Sequence, residues 1–246
     1  MSKDIVLEIS NLTKKYGDFT AVNNLSLKVS RGEIFGLLGH NGAGKSTTSE
    51  CILGTKKFEG GKVILLKMNP AKDRKKLFQK VGVQFQESNY QDKIKVKEIC
   101  EMTGALYANP ANYEDILKEF KLYDKRNNFV SDLSGGQKQK LSVLLALIPN
   151  PEIVFLDELT TGLDVKARRD IWEYLEKLKS KGISIFLTSH YMDEVEYLCD
   201  RICILKQGNM VICDTVQNVI ENSGKERLED AYLYYTGQGE LEYESI

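Results

Sequence analysis

Histidine is scarce in this chain, with two in 246 residues, and none of its five cysteines stands in CxxC spacing. Cys51, Cys100, Cys199, Cys203 and Cys213 form an odd set. That argues against a disulfide framework or a zinc site and for reduced thiols in a cytosolic setting. Cys199 and Cys203 lie one helical turn apart, but the few histidines leave little to complete a metal site. A basic surplus is missing too: 34 Lys and Arg against 35 Asp and Glu give a net charge of −1, which speaks against a nucleic-acid partner. The longest apolar run, 143–148, is far too short to cross a bilayer, so any service to a membrane goes through a partner. The charged start Met1-Ser2-Lys3-Asp4 predicts no signal peptide. Repeats, low-complexity segments and heptad runs are absent, and Gly237-Gln238-Gly239 reads as a loose tail.

What is present suits one large domain, or a domain with a smaller inserted lobe, since 42% of the residues are hydrophobic. Charge is segregated. Residues 56–80 hold nine Lys or Arg against Glu59 and Asp73, and residues 221–246 hold seven acids against Lys225 and Arg227. The basic stretch suits either a solvated face or contact with anionic lipid or partner loops. Ile5, Leu7 and Ile9, then Leu25, Leu27 and Val29, recur at every second position and predict half-buried strands. The apolar run 34–38 predicts a buried strand, as do 63–66, 81–85, 153–156, 183–187 and 202–205. Helical spacing takes over at 98–107 and 113–123, and again at Ile171, Trp172, Leu175 and Leu178. The expected fold is an α/β core around a mostly parallel sheet, with an antiparallel β region near the N-terminus. A helical subdomain is expected at about 87–149, inserted in a domain of residues 1–215, with 216–246 as a C-terminal extension.

Gly39-His40-Asn41-Gly42-Ala43-Gly44-Lys45-Ser46-Thr47 fits G-x-x-x-x-G-K-[ST] between a buried strand and a helix. Its glycines let successive backbone N–H groups curl around phosphate oxygens, and the helix N-terminus adds its positive end. Lys45 is expected to reach the β- and γ-phosphates and the Ser46 hydroxyl to ligate Mg²⁺. His40 occupies a variable position of the pattern and reads as a spectator. Further on, the apolar strand 153–156 ends in Asp157 and Glu158. Beside a phosphate loop, Asp157 can hold the metal and Glu158 can take the proton of an attacking water. Acidic pairs after strands also serve as helix caps.

Leu133-Ser134-Gly135-Gly136-Gln137 opens a helix with a second nest of N–H groups. Taken alone it suits a flexible helix cap. About twenty residues ahead of the acidic strand, it makes the chain resemble the nucleotide-binding subunits of ATP-binding-cassette transporters, over roughly residues 5–237. The resemblance implies a P-loop NTPase core, ATP and Mg²⁺ as cofactors, ATP hydrolysis, a dimer and a separate membrane-spanning permease on whose cytoplasmic side the subunit works. It also implies residue roles. Tyr16 matches the aromatic that stacks on adenine, although core or loop packing is its plainer reading. Gln86 matches the glutamine that contacts Mg²⁺ and water and senses the membrane partner, whereas Gln84 on the other side of Phe85 is set aside. Asp164 matches the loop that reaches the other subunit, and His190 the switch histidine at the γ-phosphate. Ser134, Gly135, Gly136 and Gln137 would face the partner's nucleotide.

Three positions depart from the family pattern. Leu159 and Val165 stand where proline is usual, which would loosen turns, and Lys140 replaces an arginine. The run Asp157 to Asp164, Arg168-Arg169, Trp172, and the stretch Thr188-Ser189-His190-Tyr191-Met192-Asp193-Glu194 resemble the drug- and antibiotic-exporter branch. An importer ATPase, a soluble cassette ATPase of translation or DNA maintenance, and a regulatory module without turnover are the alternatives. One cassette without a coiled coil counts against the soluble classes, and intact Lys45, Asp157, Glu158, Gln86 and His190 count against the last.

Overall fold

The two alternating segments form a hairpin, β1 (Ile5–Tyr16) and β2 (Phe19–Ser30), closed where Tyr16 pairs with Phe19 around Gly17 at φ 58°. A computed structural model describes residues 4–84, 90, 93–160 and 163–237. After the hairpin come β3 (Ile34–Leu38), α1 (Lys45–Ile52) and β4 (Gly60–Leu65). A single-turn helix α2 (Arg74–Leu77) leads into β5 (Val81–Gln84). Three helices follow, α3 (Val96–Gly104), α4 (Tyr113–Glu119) and α5 (Gly135–Leu147). The chain then alternates through β6 (Ile153–Asp157), α6 (Val165–Ser180), β7 (Ser184–Ser189), α7 (Met192–Leu198) and β8 (Arg201–Lys206). It finishes with β9 (Asn209–Thr215), α8 (Val216–Ser223) and α9 (Leu228–Thr236).

The strands make two sheets. One is antiparallel, ordered β2-β1-β4, and the other is ordered β5-β6-β7-β3-β8-β9, parallel except for β9. The expected α/β architecture is therefore present, antiparallel region included. All five residues of β3 and all six of β7 are buried, as central parallel strands covered on both faces must be. Their period of two sends Phe35, Phe155 and Phe186 to one face, where Phe35 and Phe186 stack with centroids 5.7 Å apart, against the β1–β2 hairpin and α1. Ile34, Leu38, Val154, Leu156, Ile185 and Leu187 go to the other face, against α5, α6 and α7. The sheet is thus fixed from both sides, and the loops at the carboxyl ends of β3, β6 and β7 stand on a rigid base.

Two local features differ from the expectation. The helix expected over 113–123 stops at Glu119, because Lys121 takes φ 57° and the chain continues as a 3₁₀ turn, Tyr123–Lys125. β9 has no alternating pattern to announce it: Met210 and Val211 are exposed on this edge strand, which is held by pairing to β8. Within the segment read as a C-terminal extension, α8 and α9 bury Val216, Val219, Leu228, Ala231 and Tyr232 in the same cluster as the core helices.

Candidate functional site

The turn after β3 is built from conformations that only glycine tolerates. Gly42 and Gly44 sit at φ 82° and 105°. A Cβ on Gly44 would run into the Ala21 carbonyl oxygen, and one on Gly39 would lie 2.7 Å from both Ala43 Cβ and Leu205 O. α1 begins at Lys45, so the first amides of a helix open onto this turn. Lys45 is 5% exposed and its Nζ donates to Gly39 O at 2.7 Å and His40 O at 3.3 Å. Burial pushes its pKa down, opposed by Glu158 and Asp157.

Three strand ends converge on this ammonium. Asp157 closes β6, and burial raises the pKa of its carboxyl against the lowering effect of the Thr188 hydroxyl that donates to it. Glu158 follows at φ 47°, its amide donating to Thr188 O at 3.1 Å. Its Oε1 lies 4.0 Å from Lys45 Nζ and 3.6 Å from His190 Nδ1, just past the end of β7. A cavity of about 470 Å³ runs from these groups to the hairpin, lined by Asn41, Gly42, Gly44, Lys45, Ser46, Thr47, Glu158 and the aromatics Tyr16 and Phe19. Ser46 also lines a narrower cleft of about 90 Å³ with Gln84 and Asp157. Tyr16 is half exposed, with Lys14 Nζ 4.8 Å from its ring centroid and Lys56 Nζ at 5.4 Å.

Other expected residues stand apart. Ser134, Gly135, Gly136 and Gln137 line neither cavity. Ser134 and Gln137 form a reciprocal cap, Gln137 N to Ser134 Oγ at 3.3 Å and Ser134 N to Gln137 Oε1 at 3.0 Å, at the exposed start of α5. Asp164 caps α6, accepting from Ala167 N at 2.8 Å. His40 turns its Nδ1 to Asn41 O at 2.6 Å, while Ala43 is fully buried. Gln86, with the rest of 85–89, lies outside the described residues.

Comparison with known proteins places this geometry. The family model described as ABC transporter matches residues 22–161. The chain belongs to the ABC transporter family. One relative, the "Nod factor export ATP-binding protein I" of Rhizobium meliloti (strain 1021), is 40% identical over 213 residues, 84% of this chain and 63% of that protein. The chain thus spans just under two thirds of this relative's length. Among solved structures, an ATP-binding subunit of an ABC transporter superposes with a TM-score of 0.86 at 25% identity, covering 94% of this chain and 99% of that one. Another ATP-binding cassette, solved as a dimer in a post-hydrolysis state bound to ADP and Pi, matches with a TM-score of 0.75 at 26% identity over 85% and 98% of the two chains. The fold is that of an ABC-family cassette.

Side chains outside the expected set also stand at the candidate site. Gln84 is 2% exposed, and its Oε1 accepts the Asp157 amide at 3.0 Å. Thr188 holds Asp157 by its hydroxyl and Glu158 by its carbonyl, and Phe19 joins Tyr16 at the cavity wall. An amide side chain ending an apolar strand was the available signal for Gln84.

Proposed function

We propose that this chain is the ATP-binding and ATP-hydrolysing subunit of a membrane transporter, acting as a dimer on the cytoplasmic face of a membrane through a separate permease. The supporting observation is a cavity with Lys45 and Glu158 at one end, where the Glu158 carboxylate lies 3.6 Å from His190, and the aromatics Tyr16 and Phe19 in its wall. Its volume, about 470 Å³, falls in the range of small-molecule sites. The residues fit a nucleoside triphosphate. Gly39 and Gly44 leave no room for side chains at the turn and Gly42 sits at φ 82°, Lys45 supplies a buried cation, and Tyr16 offers a ring to the base.

Mg²⁺ suits the donors as well, since Ser46 and Asp157 present oxygens in one cleft. Among the described residues no group of three or more His, Cys, Asp or Glu side chains suits a metal, so the ion would be shared with nucleotide phosphates. Bound there, it would neutralise charge developing on the phosphates. Asp157 and Ser46 would hold it, with Gln86 in the family's role. Glu158 accepts the proton of the attacking water, and His190 donates to the γ-phosphate from the other side of that carboxylate.

Ser134, Gly135 and Gly136 open a capped helix start away from the cavity, which favours a composite site: each copy offers these amides, with Gln137 and Asp164, to the nucleotide of its partner. The helices α3 to α5, as an inserted subdomain at about 87–149, would receive the permease with Gln86. Residues 216–246 would extend a cassette of 1–215. Among the described residues no helix is long and apolar enough to cross a membrane, which suits a partner for that task. The relative named for export of Nod factor favours the exporter direction, with an amphipathic cargo. Lys45→Ala tests the core of this reading: ATP binding, read with a fluorescent ATP analogue, and ATPase rate are expected to fall at least about 100-fold. Unchanged binding and turnover would contradict it.

A further inference from the structure

One buried carboxylate takes no part in the chemistry above. Glu194, in the first turn of α7, is 2% exposed, yet both its oxygens are engaged. Ser189 Oγ donates to Oε2 at 2.6 Å, and Trp172 Nε1 of α6 donates to Oε1 at 3.2 Å. Ser189 Oγ in turn accepts the Tyr191 amide at 3.0 Å. The residues on either side of His190 are therefore tied to one carboxylate. A second side chain of α6 reinforces the grip. Arg168, one turn before Trp172, reaches Asp193 Oδ2 at 3.1 Å and lies 4.8 Å from the centroid of the Tyr191 ring. That ring sits against His190, with centroids 4.2 Å apart. Burial pushes the Glu194 pKa up, and the bonds from Ser189 and Trp172 pull it down. An apolar side chain would pack α6 against α7 without that desolvation cost. What a carboxylate adds is direction: two acceptor atoms that fix the Ser189 and Trp172 side chains at once.

We propose that Glu194 is a positioning residue for ATP hydrolysis, fastening the loop that carries His190 to α6 so that the imidazole stays in register with Glu158. The proposal rests on the reading of His190 and Glu158 as parts of an ATPase site. Groups of this kind need supporting bonds that lock them near their working geometry, and a displacement of about 1 Å costs up to about 100-fold in rate. If Glu194 served only to satisfy the Trp172 indole and pack α7, its loss would lower stability and leave turnover per folded molecule alone.

The test is steady-state ATPase kinetics and thermal melting of the full chain. The variants are Glu194→Ala, Glu194→Gln, His190→Ala and the His190→Ala/Glu194→Ala double variant. Glu194→Ala is expected to lower kcat by roughly 10- to 100-fold with KM for ATP changed by less than about twofold. Glu194→Gln keeps an acceptor for Trp172 and a polar atom for Ser189, and is expected to recover most of that loss. In the His190→Ala background, Glu194→Ala is expected to cost less than about twofold more, because its effect runs through the histidine. A lowered melting temperature with unchanged kcat overturns the proposal, as does a full second loss in the His190→Ala background. Should Glu194→Ala fail to fold, Ser189→Ala cuts the same link and carries the same expectations. A wild type without ATPase activity, or His190→Ala with full turnover, overturns the functional reading and this proposal together. An active wild type, a crippled His190→Ala and an unaffected Glu194→Ala overturn the positioning role alone.

Discussion

Glu158 sits at φ 47°, a left-handed conformation that costs a non-glycine residue about 1–3 kcal/mol. The conformation turns the carboxylate off the end of β6 and toward Lys45 and His190, while the preceding Asp157 stays against Thr188. Adjacent acids thereby obtain separate surroundings. Phosphate chemistry fixes the spacing of glycines, lysine and serine in the loop, and an apolar strand ending in two acids announces itself, so the grouping of Lys45, Ser46, Asp157 and Glu158 was legible in the sequence. Gln84 was not, since its role depends on which strand lies beside β6. It supplies the acceptor for the buried Asp157 amide. Gln84→Leu leaves that N–H unpaired and is expected to destabilise the protein by about 1–3 kcal/mol. Urea unfolding checks this as a lower midpoint at unchanged slope. An unchanged midpoint would mean the bond contributes nothing.

Among the elements, α6 shows how a departure from family pattern is accommodated. Val165 is its first residue and stands where proline is usual, 69% exposed. The turn is held instead by Asp164, whose side chain accepts from Ala167 N and whose carbonyl accepts from Arg168 N. The first helical amide has no intrahelical partner in any helix, and Asp164 at φ −67° and ψ 162° already has the geometry that precedes proline. Val165→Pro is therefore expected to stabilise the chain by about 0.5–1 kcal/mol, a rise of roughly 1–4 °C in Tm, with turnover unchanged. A lower Tm would show that the valine packs or bonds in a way this geometry does not contain. Strands β3, β6 and β7 were readable because burial on both faces calls for the apolar stretches at 34–38, 153–156 and 185–187. β9 was hidden because an exposed edge strand carries no such run, and the close of α4 was hidden because Lys121 adopts a left-handed φ that its side chain does not signal.

At the scale of the whole molecule, the two regions proposed to share a nucleotide do not meet within one chain. The cavity at Lys45 and Glu158 lies at the ends of the parallel strands, and the helix start at Ser134 opens elsewhere. Sequence motifs announced both, but in the proposed composite site their relation would belong to a second copy and not to one fold. In the proposed mechanism Glu158 is the general base of a site closed by that second copy. The most direct measurement is ATPase rate and oligomeric state, by gel filtration with ATP and Mg²⁺, of Glu158→Gln with and without Ser134→Arg. Glu158→Gln keeps size and polar contacts but cannot take the proton of water. Its turnover is expected to fall by about 10²–10⁴ while ATP still binds, so that it accumulates as an ATP-bound dimer, and adding Ser134→Arg is expected to dissolve that dimer. Near wild-type hydrolysis by Glu158→Gln, or a dimer indifferent to Ser134→Arg, would contradict the account.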